Sequence, residues 1–164
     1  MTAQTIAHTP ALTSTRDTIL DAAERRFAER GFEGASVREI AADVGLKNQA
    51  SLYYHFSSKD QIVAEVLDMG VQRVFDAVRE AVQALPPDAD ADLTLYGAIE
   101  AHLRGLLQLH DFTSANIRIY GQVPEHVRTG HRALRRRYER YWFELLCALR
   151  DRGQLRTDCD LRRT

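Results

Sequence analysis

Residues 36–60 have the sequence Ser-Val-Arg-Glu-Ile-Ala-Ala-Asp-Val-Gly-Leu-Lys-Asn-Gln-Ala-Ser-Leu-Tyr-Tyr-His-Phe-Ser-Ser-Lys-Asp. This pattern predicts a short helix, a turn at Gly45, a second short helix with polar and aromatic side chains, and the start of a longer helix. Two short helices joined by a glycine-containing turn are the arrangement that places a recognition helix in the DNA major groove. The stretch therefore favours a sequence-specific DNA-binding function.

Capping signals mark where the helices around this stretch begin. A hydroxyl residue stands three positions before an acid in residues 14–17, 36–39 and 57–60, which is the form of a capping box. These boxes predict the starts of the first, second and fourth helices. Gly31 and Gly45 follow the first two apolar patterns, and each is predicted to end its helix.

The rest of the chain has the apolar spacing of helices and no strand-like alternation. A third short helix is predicted over about residues 49–55, with Leu52 and Phe56 on its buried face. Pro124 suits the first turn of the last long helix. The architecture is therefore predicted to be all-α. The further helices are predicted over about residues 59–85, 93–110, 113–120 and 125–152.

Composition narrows the class of protein. A chain of 164 residues with 45 % apolar content can build one typical domain, or a small domain fused to a larger one. Cys147 and Cys159 fit neither a metal-binding spacing nor a disulfide framework, which is typical of a reducing cytoplasm. Residues 1–12 lack the features of a signal peptide, and no apolar run has the length of a membrane span. We therefore expect a cytoplasmic protein with no membrane partner.

Charge is distributed unevenly along the chain. Residues 1–60 have a net charge of −1, residues 61–122 of −5 and residues 123–164 of +5. Because the N-terminal part is not basic, DNA affinity would have to come from a few well-placed groups.

Residues 16–67 resemble the TetR family of bacterial transcriptional regulators. The match lies in Leu-Tyr-Tyr-His-Phe at residues 52–56, followed by Ser58-Lys59-Asp60. It extends over Ala22-Ala23, Phe27 and Gly31-Phe32 in the first helix and over residues 36–41 in the second. This ordered series covers roughly a third of the chain.

The resemblance implies an N-terminal three-helix helix-turn-helix DNA-binding domain at residues 14–58, after a flexible tail at residues 1–13. It further implies a helical effector-binding and dimerisation domain at residues 59–164. In such a protein, effector binding moves the long connecting helix and changes the spacing of two recognition helices. We therefore expect a homodimeric, ligand-relieved repressor of a near-palindromic operator.

The chain departs from the family pattern in two places. Six residues separate Gly45 from Leu52, where the family usually has five. The family also continues with two more helices that form the four-helix bundle of the dimer, whereas this sequence stops at Thr164. The last helices are therefore expected to be missing, either because the chain is a fragment or because the protein lacks the usual dimer interface.

Base recognition requires donors and acceptors at the exposed start of the recognition helix. The amides of Asn48 and Gln49 can pair with adenine, and Ala50 can contact a thymine methyl group. The family pattern places Gln49, Ala50 and Tyr53 at base-contacting positions. These four residues are the predicted base contacts.

Phosphate groups would be held by polar residues around the same helix. The alternative is that the two adjacent tyrosines merely pack on neighbours, that the histidine is structural and that the lysines are simply solvated. Because one of two adjacent tyrosines usually faces inwards, Tyr53 or Tyr54 is expected to be partly core. The predicted phosphate contacts are Arg38, Lys47, Ser51, Tyr54, His55 and Lys59.

Aromatic and polar residues of the C-terminal part could line an effector pocket between the fourth, fifth and last helices. The alternative is that they form plain core. The predicted pocket residues are Tyr96, His102, Leu103, Phe112, Tyr120, Tyr138, Tyr141 and Trp142.

Five arginines of the last helix form the most basic run, at positions 132, 135, 136, 137 and 140. They could bind nucleic acid or an anionic effector, but a solvated face that pairs with acids of the middle segment is favoured. His102, His110, His126 and His131 show no metal-ligand spacing. No catalytic motif is present either, so no metal, cofactor or enzymatic activity is expected. The alternative function is a helical small-molecule-binding or interaction protein that no longer reads DNA.

Overall fold

The computed structural model describes residues 14–108, 116, 118–156 and 158. Within these residues all regular secondary structure is helical, which confirms the predicted all-α class. The predicted tail and half of the predicted short helix at 113–120 lie outside the described residues. The helices are α1 (Thr15–Gly34), α2 (Val37–Asp43), α3 (Gln49–Tyr53), α4 (Lys59–Gln83), α5 (Ala91–Gln108) and α6 (Glu125–Asp151).

The first two capping boxes form as predicted. Ser14 and Ser36 each accept a hydrogen bond from the amide three residues later, and the acid at that position accepts one from the serine amide. The third box does not form as predicted. Ser58, not Ser57, caps α4 by accepting from the Gln61 amide at 3.1 Å, and the Gln61 side chain accepts from the Ser57 amide at 2.7 Å. Gln61 reaches back to the chain here, so Asp60 is not the residue that closes the box.

Gly31 and Gly45 break the helical conformation at the predicted positions, but α1 continues beyond its predicted stop to Gly34. Gly31 has φ 74° and ψ 176°, so it interrupts α1 before a last helical turn that ends at Gly34. Gly45 has φ 71° directly after α2. Both conformations carry little penalty for glycine alone. Pro124 precedes α6 as its N-cap residue instead of lying in its first turn.

The helix-turn-helix half is built on one hydrophobic core. Leu52 of α3 and Phe56 shortly after it are at most 1 % exposed, and they pack with Phe27 of α1 and Ile40 of α2. The first half of α4 closes this core with Ile62, Val63, Val66 and Leu67. α3 is therefore held by its apolar side, which leaves its polar side exposed.

Helix α5 packs in the opposite sense to its sequence pattern. Its buried residues are small: Ala91, Thr94, Ala98 and Gly105. A Cβ on Gly105 would lie 3.4 Å from a methyl group of Val74, so the small face allows α4 and α5 to approach closely. The large apolar residues, expected to face the core, are instead exposed. They are Leu93, Tyr96, Ile99, Leu103 and Leu107.

Within the described part of the chain, none of the helices combines the length and the apolar character that a membrane crossing requires.

Candidate nucleic-acid interface

The start of α3 is fixed by Asn48. Its side-chain oxygen accepts hydrogen bonds from the Ser51 amide at 2.9 Å and from the Ser51 hydroxyl at 3.1 Å. Asn48 is thus the N-cap of the helix, a role that the short polar side chain performs well. Since this oxygen is engaged by the cap, only the amide NH₂ group of Asn48 remains to address a base edge.

Gln49 and Tyr53 form the exposed face of α3. The Gln49 side-chain amide donates a hydrogen bond to the Tyr53 hydroxyl at 3.1 Å, across one helical turn. Tyr53 is 45 % exposed, and Ala50 beside it is also exposed. The structure therefore brings three of the four predicted base contacts onto one surface.

Both adjacent tyrosines point outwards, so the expectation that one of them packs inwards was wrong. Tyr54 is 89 % exposed and stacks edge-on with His55 at a centroid distance of 5.5 Å. The physical reason is that Leu52 and Phe56 already fill the inward side of this short helix. Tyr54 and half-buried His55 are consequently placed where a phosphate could approach.

Lys59 differs from a solvated surface lysine. Its ammonium group lies 4.4 Å from the centroid of the Phe32 ring, a cation–π contact. Burial lowers the pKa of Lys59, while the neighbouring charges of Asp60 and Glu33 act in the opposite direction. Lys59 is also the first residue of α4, immediately after the α3 segment. The other predicted basic contacts, Arg38 and Lys47, are exposed on the first turn of α2 and in the turn before α3.

Two ion pairs lock α1 against α2, and sequence reasoning missed them. Arg26 donates to both oxygens of Asp43, at 2.5 Å and 2.6 Å, and Arg30 lies 2.7 Å from Glu39. The hydrogen bond from Arg26 holds the pKa of Asp43 below its usual range. A bidentate pair of this kind fixes orientation as well as distance. No local pattern reveals it, because the partners are seventeen residues apart in the chain.

Four of the predicted effector-pocket residues come together between α4, α5 and α6. The His102 Nδ1 atom lies 2.7 Å from the Tyr138 hydroxyl, and the Trp142 ring lies 6.1 Å from the His102 ring. Tyr138 and Tyr141 each lie 5.3 Å from the ring of Phe75, which the sequence analysis did not single out. Burial lowers the pKa of His102 and raises those of Tyr138 and Tyr141.

The other predicted pocket residues lie elsewhere. Tyr96 and Leu103 are 69 % and 53 % exposed on the outer face of α5, so their predicted position between helices was wrong. α5 turns its small residues inwards, which places these two on the opposite side. Tyr120 is a neighbour of His131, with ring centroids 5.8 Å apart. Phe112 lies outside the described residues.

The first arginine of the run in α6, Arg132, pairs within its own helix instead of with the acidic middle segment. Arg132 lies 2.5 Å and Arg128 lies 2.9 Å from the carboxylate of Glu125, and these hydrogen bonds lower the pKa of Glu125 to about 2. Arg135, Arg136, Arg137 and Arg140 are exposed. Two histidines of the same helix meet acids of α4: His126 is 3.2 Å from Asp60, and fully buried His131 is 3.1 Å from Asp68. Across the residues with assigned positions, no three His, Cys, Asp or Glu side chains are grouped to hold a metal ion.

A helix-turn-helix unit with an exposed recognition face defines a helical DNA-binding protein. The family model for bacterial regulatory proteins of the tetR family matches residues 19–66. The TetR family transcriptional regulator PfmR from Thermus thermophilus superposes with a TM-score of 0.76 at 30 % identity, over 92 % of this chain and 78 % of that one. The chain belongs to the TetR family and is a DNA-binding transcriptional regulator.

Two further relatives agree. The transcriptional repressor KstR2 of Rhodococcus jostii is 29 % identical over 151 residues, which are 89 % of this chain and 70 % of that protein. The structure of the ketosteroid transcriptional regulator KstR2 of Mycobacterium tuberculosis superposes with a TM-score of 0.71 at 25 % identity, over 92 % of this chain and 76 % of that one.

Proposed function

We propose that this protein is a repressor that binds a near-palindromic operator as a homodimer and releases it when a small molecule binds between α4, α5 and α6. The observation that carries the proposal is the α3 face, where Gln49, Ala50 and Tyr53 are exposed while Leu52 anchors the helix from behind. A homodimer agrees with this, because two recognition helices are needed to reach successive major grooves. Such a regulator works in the bacterial cytoplasm, where the DNA is.

The roles on DNA follow from the geometry. Gln49 reads a base edge with the amide that now bonds to Tyr53, and Ala50 and Tyr53 contact neighbouring bases. Asn48 contributes chiefly by capping α3. The phosphate contacts are divided between Ser51, Tyr54 and His55 in and just after α3, Lys59 at the start of α4, and the two flanking residues Arg38 and Lys47.

The effector half begins with α4, so the proposed division remains residues 14–58 and 59–164. The cluster of Phe75, His102, Tyr138, Tyr141 and Trp142 supports a ligand with an apolar ring or chain and one hydrogen-bonding group. The relative KstR2 is named a ketosteroid regulator, which makes a ketosteroid the first ligand to test.

The deciding experiment is the selection of bound sequences from random duplex DNA by the full chain. The proposal predicts an enriched two-fold symmetric motif, a complex with two chains per duplex, and affinity that falls steeply with salt. Light scattering on the same complex measures the stoichiometry. A ketosteroid is then titrated into the complex, and release of the DNA is the expected result.

The matched comparison in this experiment is Gln49→Ala against Gln83→Ala. Gln83 is an exposed glutamine at the end of α4, so its loss leaves the enriched motif unchanged. A wild-type protein that enriches no motif and binds duplex with a shallow salt dependence contradicts the proposal. That outcome would favour the alternative, a helical small-molecule-binding protein that no longer reads DNA, which the net charge of −1 in residues 1–60 would then explain.

A further inference from the structure

The segment before α6 is part of the helix-turn-helix core. Residues 118–127, called the docking segment below, lead into the first turn of α6. Ile119, Val123 and Val127 are 0 %, 2 % and 4 % exposed, and they belong to the same core as Phe27. The effector half therefore touches the DNA-binding half at a second place, separate from the continuous helix α4.

Two side chains of the docking segment hold the main chain where α1 breaks. A break at Gly31 deprives the following amides of their intrahelical acceptors. The Gln122 side-chain oxygen accepts from the amides of Phe32 at 2.8 Å and Glu33 at 3.4 Å. One turn earlier, the Arg118 guanidinium donates to the Glu29 carbonyl at 2.9 Å. The pair thus satisfies donors on one side of the break and an acceptor on the other.

The contact depends on the absence of a side chain at Gly31. A Cβ atom there would lie 2.7 Å from the Gln122 oxygen and 3.0 Å from its nitrogen. The positive φ of Gly31 also turns the next two amides towards Gln122. Glycine serves here both for its backbone conformation and for the close approach of a side chain ninety residues away in the sequence.

Phe32 connects this contact to the DNA-binding surface. Its amide donates a hydrogen bond to the Gln122 side chain, and the centroid of its ring lies 4.4 Å from the ammonium group of Lys59. Lys59 opens α4 directly after the recognition segment and is a proposed phosphate contact. A shift of the docking segment by about an ångström would lengthen the 2.8 Å bond beyond hydrogen-bonding range and release Phe32.

We propose that Gln122 is a positioning residue that couples the effector half to Phe32 and Lys59, in addition to the coupling through α4. The proposal rests on the proposed function, in which DNA binding responds to the state of the effector half. Because coupling between two sites is reciprocal, operator binding at α3 must in turn stabilise the docking segment. This gives a test that needs no knowledge of the effector.

The test is hydrogen exchange of the full chain with and without the operator duplex from the selection above. In the wild type, operator binding slows exchange in α3 and, by about fivefold, in residues 118–127. In Gln122→Ala, α3 remains protected but the operator-dependent protection of the docking segment falls below about twofold. Gln122→Met, which keeps the length of the side chain and loses its acceptor, gives the same loss and replaces the alanine variant if that one folds poorly.

Two controls separate positioning from plain stability. Gln122→Glu keeps an acceptor oxygen and is expected to retain the protection, and Gln83→Ala behaves as the wild type. A purely structural role for Gln122 would raise exchange of the docking segment equally with and without DNA, so the ratio between the two states would stay at the wild-type value. The proposal is overturned if the variants keep the wild-type ratio. It is also overturned if operator binding protects α3 of the wild type but leaves exchange of the docking segment unchanged. If α3 itself gains no protection from any duplex, the proposed function fails, and the coupling fails with it.

Discussion

Helices α3 and α5 each leave large side chains exposed, but the two helices bury different kinds of residue. α3 buries Leu52 and exposes Tyr53 and Tyr54. α5 buries alanine, threonine and glycine and exposes leucines, an isoleucine and a tyrosine. In α3 the exposed residues are polar-tipped aromatics, which suit a wet DNA surface. In α5 the exposed residues are mostly aliphatic, so the outer face of this helix is apolar. Among the described residues, no other element covers this face.

The comparison teaches that the size of a residue does not decide which face of a helix is buried. A large residue anchors a helix only if the neighbouring helix stands far enough away to receive it. At Gly105, α5 lies too close to α4 to bury a large side chain between them, because Val74 fills the space. Predictions about these helices therefore test which face is truly packed.

The largest effect is expected from a matched pair of leucine substitutions. Leu52→Ala removes a fully buried side chain of α3 and should lower the free energy of unfolding by about 2–5 kcal/mol. Leu103→Ala, on the exposed face of α5, should change it by less than about 0.5 kcal/mol. Denaturant unfolding followed by circular dichroism measures both. Equal losses in the two variants would show that the outer face of α5 is covered in solution.

The next effect concerns base reading by α3. Gln49→Ala should reduce discrimination at one position of each half-site by about 1–3 kcal/mol, since a side-chain amide can pair with adenine through two hydrogen bonds. Competition binding with single-base operator variants measures this loss. Lys59→Ala is the contrasting variant: it should weaken binding to all sequences alike and reduce the salt slope by about one. Unchanged preference in Gln49→Ala would place the reading residues elsewhere on α3.

A smaller effect is expected from the polar contact inside the aromatic cluster. Tyr138→Phe removes the hydroxyl that lies 2.7 Å from His102 and should destabilise the protein by about 0.5–1.5 kcal/mol, the usual net value of one hydrogen bond. Thermal unfolding at neutral pH measures the change. Tyr96→Phe on the exposed face of α5 serves as the control. A comparable loss in that variant would show that the buried Tyr138 hydroxyl has no special stabilising role.

The smallest effect is a difference in acid sensitivity between the two halves. Burial keeps the pKa of His102 below its ordinary value of 6.5, so the unfolded chain takes up a proton first as the pH falls. Stability from His102 is therefore present above pH 6.5 and is lost as the pH falls through the lower folded pKa. Asp43 has a pKa below its ordinary 3.8, so its contribution persists until the pH falls below that value.

Melting temperatures between pH 5 and pH 7.5 test this difference. The wild type should lose stability over that interval, and His102→Phe, which cannot titrate, should lose less. A variant with the same pH profile as the wild type would assign the loss to another group.

Much of the helix-turn-helix half could be predicted from local signals. The boxes at Ser14 and Ser36 use contacts between residues three apart, and the positive φ angles of Gly31 and Gly45 depend on glycine itself, so the sequence displays both signals directly. Three of the predicted base contacts, Gln49, Ala50 and Tyr53, lie on one exposed surface because the apolar residues of the segment take the opposite side. The expectation that Tyr53 or Tyr54 is partly core was wrong, because Leu52 and Phe56 already occupy the inward side.

The effector half was less predictable. Aromatic residues at positions 102, 138, 141 and 142 do gather, but Phe75 was missed, and Tyr96 and Leu103 were assigned to the wrong side of α5. A helix periodicity shows that a face is apolar without showing whether a neighbour covers it. The distance between α4 and α5 supplies that information.

By itself the sequence determined the all-α class, the starts of α1 to α3, and the family to which the chain belongs. These features depend on capping, glycine conformation and a motif of consecutive residues, all of which act over a few positions. The tertiary structure alone decided the outward face of α5, the pairing of Arg26 with Asp43, and the hydrogen bonds that Gln122 accepts at the break in α1. Each of these joins atoms that are distant in the chain, so the contact exists only after the helices have packed.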